Sequence, residues 1–326
     1  SSFTYDLVHL PQGLSRFGDV SIPGSKSSTL RALLLSAQSS ETTRIQNVLR
    51  SNDTAVMLEA LEHLGASIAF IDATNITISG PMIHPTEESE INLGESGLLL
   101  RLLLVHVSLF GKAPVRFHGQ GRLLERPLAG LINALSLLGV SITQEPKSIS
   151  VIPCSLPSRP IEISIDPSIS SQWISALALS LAHHPFGGII HFTKPIISKS
   201  YLDLTSYWLK IFGCMQSVES NQWKIPGGLS SPGSCLIEGD WSSAAAFILA
   251  SATQGIPLCI KGLNKNTPQG DQFLLEILSK SFVIHRWRES NLHIEGKING
   301  GIYEDLSSCP DLAPVLAAAC VLGPQS

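Results

Sequence analysis

Ser25, Lys26 and Ser27, with Arg31 about one helical turn further on, are the first residues of this chain that could do chemistry. A short apolar run, Val20-Ser21-Ile22, reads as a strand; Pro23-Gly24 breaks it, and the Ala/Leu-rich stretch from Leu30 to Ala37 reads as a helix. The two serines and the lysine then stand at a helix N-terminus, where unpaired backbone N–H groups and the macrodipole favour an anion. Lys26 and Arg31 add two positive charges. The Gly-Lys-[Ser/Thr] core of a P-loop is absent. Alone, the stretch reads better as a capped helix with two solvated cations. Its repetition along the chain points to an anion site.

The repeated unit is strand, small-residue turn, Ala/Leu-rich helix, strand, amphipathic helix and two short strands. Ser27, Gly97, Ser170 and Ser242 open the first helices of four copies, at separations of 70, 73 and 72 residues. Asp53, Pro127, Leu202 and Gln269 open the second helices. A fifth copy is expected from a strand at Gly301-Ile302-Tyr303 and a helix over Pro310–Val321. The second helices carry apolar residues at helical spacing (Val56, Leu61 and Leu64; Leu131, Leu135 and Leu138) and should lie outside with one face on a sheet. The first helices are apolar nearly all round and should be buried at the centre. Packed in parallel, they would aim the openings Ser25-Lys26-Ser27, Glu95-Ser96-Gly97, Ser170-Ser171-Gln172 and Ser242-Ser243 at one face. That makes a donor-rich, positive floor without a positive net charge. Small residues that let helices pack closely would leave Lys26 and Arg31 unexplained.

Composition narrows the classes. The 326 residues suffice for two domains, and 44% hydrophobic content with 26 Gly and 20 Pro fits an α/β protein with many turns. A net charge of −4 argues against a nucleic-acid partner. The first residues lack the pattern of a signal peptide, and the longest apolar run, Leu98–Phe110, is interrupted by Arg101 and His106, so no membrane partner is expected. The six cysteines form no CxxC pair and read as reduced, buried thiols of a cytoplasmic protein. The histidines include no HExxH; His183-His184, beside Pro185 at the end of an apolar helix, read as surface or cap residues, with no metal site.

Five motifs occur in order: Pro23-Gly24-Ser25-Lys26-Ser27 with Arg31, Gly119-x-Gly121-Arg122-x-x-Glu125-Arg126-Pro127, Ser170-Ser171-Gln172, Ser198-Lys199-x-Tyr201-x-Asp203 and Glu238-Gly239-Asp240-x-Ser242-Ser243. Together they resemble the 5-enolpyruvylshikimate-3-phosphate synthases, over nearly the whole chain. The resemblance implies an α/β, two-domain enolpyruvyl transferase fold built from repeated βαβαββ units, with residues 1–19 and 235–326 in a lower domain and 20–234 in an upper one. It implies transfer of the enolpyruvyl group of phosphoenolpyruvate to the 5-hydroxyl of shikimate 3-phosphate by addition and elimination, in the shikimate pathway, without metal or organic cofactor, by a monomer. Such chemistry needs an anion clamp, a base for the hydroxyl and an acid for the methylene carbon. By resemblance Lys26 and Asp311 are catalytic. Lys26, Ser27, Arg31, Ser170, Ser171, Gln172, Ser198, Tyr201 and Asp311 bind shikimate 3-phosphate. Lys26, Gly97, Arg122 and Gln172 bind phosphoenolpyruvate. Cations on both domains would meet across one cleft, which binding is expected to close.

Two departures from the family stand out. Its second-copy turn usually reads Asn-Ala-Gly-Thr; here it is Glu95-Ser96-Gly97-Leu98. Either Glu95 faces away and favours the helix dipole, or its charge alters binding of phosphoenolpyruvate and of the analogue glyphosate. The family also has six units, so a sequence ending within the fifth is expected to be a fragment, incomplete for turnover. Two other functions fit the residues less well. The sister transferase acting on UDP-N-acetylglucosamine carries a Cys in the loop that here reads His118-Gly119-Gln120-Gly121. A non-catalytic binder of a phosphorylated ligand would not need Lys26, Arg122 and Asp311 together.

Overall fold

Four times along the chain the order strand, helix, strand, helix, strand, strand recurs in the computed structural model, which describes residues 18–196 and 199–322. The first copy is strand Asp19–Ser21, helix α1 (Lys26–Gln38), strand Thr43–Gln46, helix α2 (Asn52–His63) and strands Ser67–Phe70 and Ile76–Ser79. The second is strand Ser89–Asn92, α3 (Gly97–Phe110), strand Val115–His118, α4 (Ala129–Ser136) and strands Ser141–Gln144 and Ser148–Ile152. The third is strand Ile161–Ile165, α5 (Ser171–His183), strand Gly188–Phe192, α6 (Lys199–Ile211) and strands Ser217–Val218 and Gln222–Ile225. The fourth is strand Ser234–Leu236, α7 (Trp241–Gln254), strand Leu258–Lys261, a 3-10 turn Gly270–Phe273 running into α8 (Leu274–Lys280), and strands Ile284–Arg288 and Asn291–Glu295. A 3-10 turn, Pro310–Leu312, then leads into α9 (Ala313–Leu322). The strand expected at Gly301–Tyr303 does not form: the segment is irregular, and Tyr303, 93% exposed, has no sheet to bury against.

Each copy has a four-stranded sheet in which a parallel pair is extended by an antiparallel hairpin. In the first and fourth copies the leading strands are exchanged. Asp19–Ser21 pairs in parallel with Leu258–Lys261, with Val20 opposite Ile260, and Ser234–Leu236 pairs in parallel with Thr43–Gln46, with Cys235 opposite Ile45. The exchange makes the chain cross twice, side by side. Ser25 N–H donates to Glu238 O (2.8 Å), Asp240 N–H donates to Pro23 O (3.0 Å), and Gly24 bridges Gly239. A Cβ on Gly24 would lie 2.1 Å from Asn47 O, and one on Gly239 2.7 Å from Gly262 O, so backbone meets backbone at both crossings. The sequence reading divides the chain after Asp19 and Ser234. The crossings lie at Gly24 and Gly239, because each leading strand stays in the other copy's sheet.

Helices α1, α3 and α5 lie in the larger core, where Leu33, Leu99, Leu103, Trp173 and Leu177 are fully buried. The outer helices α2, α4 and α6 cover it with their apolar faces, as their periodicity predicts. A separate core joins Ile22 to α7, α8 and α9 through Trp241, Ile248, Leu274 and Leu312. Here α7 departs from the expectation of a helix buried all round. It packs on α9 and its own sheet, and Ser243, Ala246, Phe247 and Ala250 form an exposed face. None of the helices is long and apolar enough to cross a membrane among the described residues.

The C-terminal parts of α1, α3 and α5 meet around imidazoles. His106 is fully buried, with Nδ1 2.9 Å from Gln38 Nε2 and Nε2 3.1 Å from His84 Nε2, and His183 lies against it at 5.9 Å between ring centres. His184 caps α5 but is buried, its Nδ1 3.2 Å from Gly187 O. The cap half of the expectation holds for His184, and the surface half is corrected: packed helix ends enclose these rings. Burial and neighbouring His183 and Lys112 push His84 down to about 4, and burial with His84 and His183 holds His106 well below the ordinary value. The six cysteines are unpaired, but only Cys214, Cys235 and Cys309 are buried; Cys154 and Cys259 are half-buried and Cys320, on α9, is exposed.

Candidate active site

Helices α1, α5 and α7 at their openings, and α3 through Arg101, line adjoining cavities. Each is held by a cap: Ser25, Ser96, Ser170 and Asp240 accept from Ser28, Leu99, Gln172 and Ser243 N–H respectively. A cleft of about 340 Å³ is lined by Arg101, Arg126, Ser168, Ser170, Ser171, Gln172 and Tyr201. Beside it, a space of about 40 Å³ is lined by Ser25, Ser27, Tyr201, Asp240, Ser242, Asp271 and Asp311. Tyr201 borders both.

Two guanidinium groups converge on Gly97. Arg101, one turn into α3, returns Nη1 to Gly97 O (2.6 Å). A Cβ on Gly97 would lie 2.1 Å from Arg126 Nη1 and 2.8 Å from Arg101 Nη1, so glycine leaves the room both groups use. Neither arginine forms an ion pair among the described residues, and Arg101 Nε has no hydrogen-bond partner there although Arg101 is only 5% exposed. Burial, with Arg126 alongside, brings Arg101 down to about 10, which leaves it charged at neutral pH. Like charges gathered in a half-dry place without a carboxylate are arranged for an anion.

Lys26 opens α1 with its side chain half exposed; Nζ is 3.6 Å from Asp53 Oδ2, and its backbone N–H donates to Asp240 Oδ2 (3.2 Å). The Tyr201 hydroxyl donates to Asp311 Oδ2 at 2.5 Å, and Ser200 Oγ donates to Ser308 O at 2.5 Å. These two contacts join α6 to the segment before α9. Burial first, and then Asp311, raise the Tyr201 phenol well above its ordinary value, so it stays a donor. Asp271 accepts from Ser242 Oγ, and burial pushes its carboxyl up to about 6.

The structure thus lines the two cavities with Ser27, Ser170, Ser171, Gln172, Tyr201 and Asp311; Gly97 lies under Arg101 and Arg126, Lys26 stands between Ser25 and Ser27 with its ammonium toward Asp53, and Ser198 lies outside the described residues. Two expected binders stand elsewhere. Arg31 is buried beneath the floor, donating to Thr205 Oγ1 (2.9 Å), Ser27 O (2.9 Å) and Ser175 Oγ (3.2 Å), and so braces α1 against α5 and α6. Arg122 is exposed on a loop and paired with Glu125 at 2.8 Å; within the same motif it is Arg126 that reaches the cleft. The short 3-10 turn Leu123–Glu125 between them turns the two side chains apart. Glu95 leans on the Gly121 turn, its Oε1 2.9 Å from where a Cβ on Gly121 would be, and does not line the cleft. Of its two readings, the geometry favours the one that faces away.

The sequence reading missed Arg101, Arg126 and Asp271 as site residues. Arg101 had a signal: an arginine four residues past Gly97 in an otherwise apolar run is too costly to bury without a ligand or partner. Arg126 was inside a motif already singled out. Asp271 had the weaker signal of standing where Asp53 stands in the first copy.

Comparisons with known proteins agree with this arrangement. The family model described as EPSP synthase (3-phosphoshikimate 1-carboxyvinyltransferase) matches residues 13–323. The 3-phosphoshikimate 1-carboxyvinyltransferases of Escherichia coli K12 and Shigella boydii serotype 18 are each 33% identical over 312 residues, covering 93% of this chain and 73% of theirs. The structure of EPSP synthase from Acinetobacter baumannii superposes with a TM-score of 0.74 at 24% identity, covering 93% of this chain and 71% of that one, and so shares the fold.

Proposed function

The chain belongs to the EPSP synthase family, and from that premise we propose how its cleft transfers the enolpyruvyl group of phosphoenolpyruvate to the 5-hydroxyl of shikimate 3-phosphate. The observation that carries the proposal is the pair Arg101 and Arg126 above Gly97, beside the serine-rich opening of α5, in a cleft that Tyr201 shares with the space lined by Ser25, Ser27 and Asp311. Ser170, Ser171 and Gln172 bind the phosphate of shikimate 3-phosphate at the N-terminus of α5. Arg126, a planar fork suited to carboxylate or phosphate, grips phosphoenolpyruvate, and Arg101 supports it from below. Asp311, oriented by Tyr201, takes the proton of the 5-hydroxyl as its oxygen bonds to C2 of phosphoenolpyruvate. Lys26 delivers a proton to the methylene carbon. The tetrahedral adduct then loses phosphate as a proton leaves the methyl carbon, which restores the double bond.

The two hydrophobic cores support a two-domain organisation whose boundaries, among the described residues, lie at the crossings Gly24 and Gly239 rather than after Asp19 and Ser234, since Ile22 belongs to the smaller core and Cys235 and Ile237 to the larger. The test is phosphate release by the purified full-length protein with phosphoenolpyruvate and either shikimate 3-phosphate or UDP-N-acetylglucosamine. Release with the first acceptor only, and its loss in Arg126→Ala but not in Arg122→Ala, is the expected result. Release with the second acceptor, or equal loss in both variants, would refute the assignment.

A further inference from the structure

The repeat puts an aspartate at one position in two copies. Asp53 is the second residue of α2, and Asp271 is the second residue of the turn leading into α8. Each faces the opening of the buried helix of its own copy. In the first copy that helix opens with Lys26, whose ammonium is 3.6 Å from Asp53. In the fourth it opens Trp241-Ser242, and Asp271 meets a hydroxyl instead, accepting from Ser242 Oγ. Asp271 thus occupies the position without the cation. It is 7% exposed and forms no ion pair among the described residues.

The groups that face it are acidic or neutral. Asp240 caps α7, Asp311 comes from the turn before α9, the Tyr201 hydroxyl comes from α6, and the Cys309 thiol is near enough to Asp271 to be raised by it. Lys26 is turned to Asp53. Three aspartates therefore line one space of about 40 Å³ at the edge of a cleft built for anions. Carboxylates sharing so small a space do not all ionise at low cost, and the most buried one keeps its proton. Burial has moved Asp271 in that direction, to about 6, with Asp311 and Asp240 adding to it.

We propose that Asp271 is a positioning residue of the reaction: it holds a proton when the anionic substrates are bound, so that it adds no further negative charge to Asp311, the carboxylate beside the reacting hydroxyl, or to the α7 cap Asp240. The proposal rests on the assignment of Asp311 as base. Bringing further negative charge into the cleft favours the protonated form of Asp271, so anion binding takes up a proton. Above the point where free Asp271 ionises, binding weakens as pH rises, up to about tenfold for each pK unit by which the bound anion raises it.

Two measurements test this. Calorimetric titration with sulfate, which does not itself titrate near neutral pH, is run at pH 7 in two buffers of different ionisation enthalpy. Proton uptake by the wild-type chain, absent in Asp271→Asn, is expected; no uptake in the wild type would overturn the proposal whether or not the protein turns over. The second is the affinity for shikimate 3-phosphate of wild type relative to Asp271→Asn, from pH 5.5 to 8. The variant stays neutral and isosteric, and the titration of the ligand phosphate cancels in the ratio. The wild type is expected to lose affinity relative to the variant by at least about threefold as pH rises. A flat ratio would overturn the proposal. A protein that shows uptake and a sloping ratio but no turnover would leave the protonation of Asp271 on anion binding standing and refute the assignment of function, and with it the role of Asp311, instead.

Discussion

Replacing Gly97 with alanine puts a methyl group where two arginines now converge. The new Cβ would lie 2.1 Å from Arg126 Nη1 and 2.8 Å from Arg101 Nη1, with Arg126 Cζ at 3.1 Å. Ordinary contact begins near 3.4 Å, so the Arg126 guanidinium must retreat by about 1.3 Å. Both obstacles are the far ends of flexible side chains, and the nearest contacts include no backbone, so the fold should tolerate the change. Alanine in place of glycine in a helix is worth up to about 1 kcal/mol in stability. Function should not tolerate it. Displacing a guanidinium from an anion weakens a charge-assisted hydrogen bond worth about 1.5–3 kcal/mol, or roughly tenfold to 100-fold in affinity. Steady-state phosphate release at varied phosphoenolpyruvate, with thermal unfolding of the same samples, gives both halves. The expected result is an unchanged or higher melting temperature with KM for phosphoenolpyruvate raised in that range. A KM within about twofold of wild type would refute the role given to Arg126, and a lower melting temperature would refute the claim that only mobile side chains stand in the way.

Three further outcomes follow from other parts of the molecule. Tyr201→Phe removes the donor 2.5 Å from Asp311 Oδ2 and should lower kcat/KM about tenfold; unchanged kinetics would show that this contact is absent from the working state. Gly24→Ala forces a Cβ against Asn47 O, which is backbone and cannot swing aside, so chemical denaturation should show a loss of about 2 kcal/mol or more. A loss under about 0.5 kcal/mol would contradict the tight crossing. The buried imidazoles should make the fold acid-sensitive. His84 titrates at about 4 when folded against an ordinary value of 6.5, so the unfolded chain binds protons first and stability falls as pH drops from about 6.5 to about 4, by roughly 3 kcal/mol. His84→Asn should flatten that slope, and an equal slope in the variant would contradict the burial of this group.

The βαβαββ rhythm was legible because each first helix is apolar all round while each second helix is striped, and these two signals alternate through Phe282. The bounds of α3, Gly97–Phe110, follow directly from Ser96 as cap and Gly111 after its end. Exchange of the leading strands was not legible. Val20 and Cys235 sit in strands that look alike, and only the pairing of Val20 with Ile260 and of Cys235 with Ile45 decides which sheet receives which. The choice between Arg122 and Arg126 was hidden for a similar reason. Four residues separate them within one motif, and the turn Leu123–Glu125 decides which points inward. His106 and His183 looked like features of separate helices, and their ring contact emerged from how α3 and α5 pack. Local pattern fixes elements and caps; pairing and packing between distant copies fix which charges meet.

The most direct test of the account is to follow phosphorus by NMR in a mixture of the full-length protein, phosphoenolpyruvate and shikimate 3-phosphate. The signal of phosphoenolpyruvate should decay as inorganic phosphate grows one for one, while the phosphate monoester of the acceptor shifts without loss. Lys26→Ala should leave all three signals unchanged over the same time. Stable phosphoenolpyruvate in the wild-type mixture, or inorganic phosphate drawn from the acceptor, would contradict enolpyruvyl transfer by this cleft.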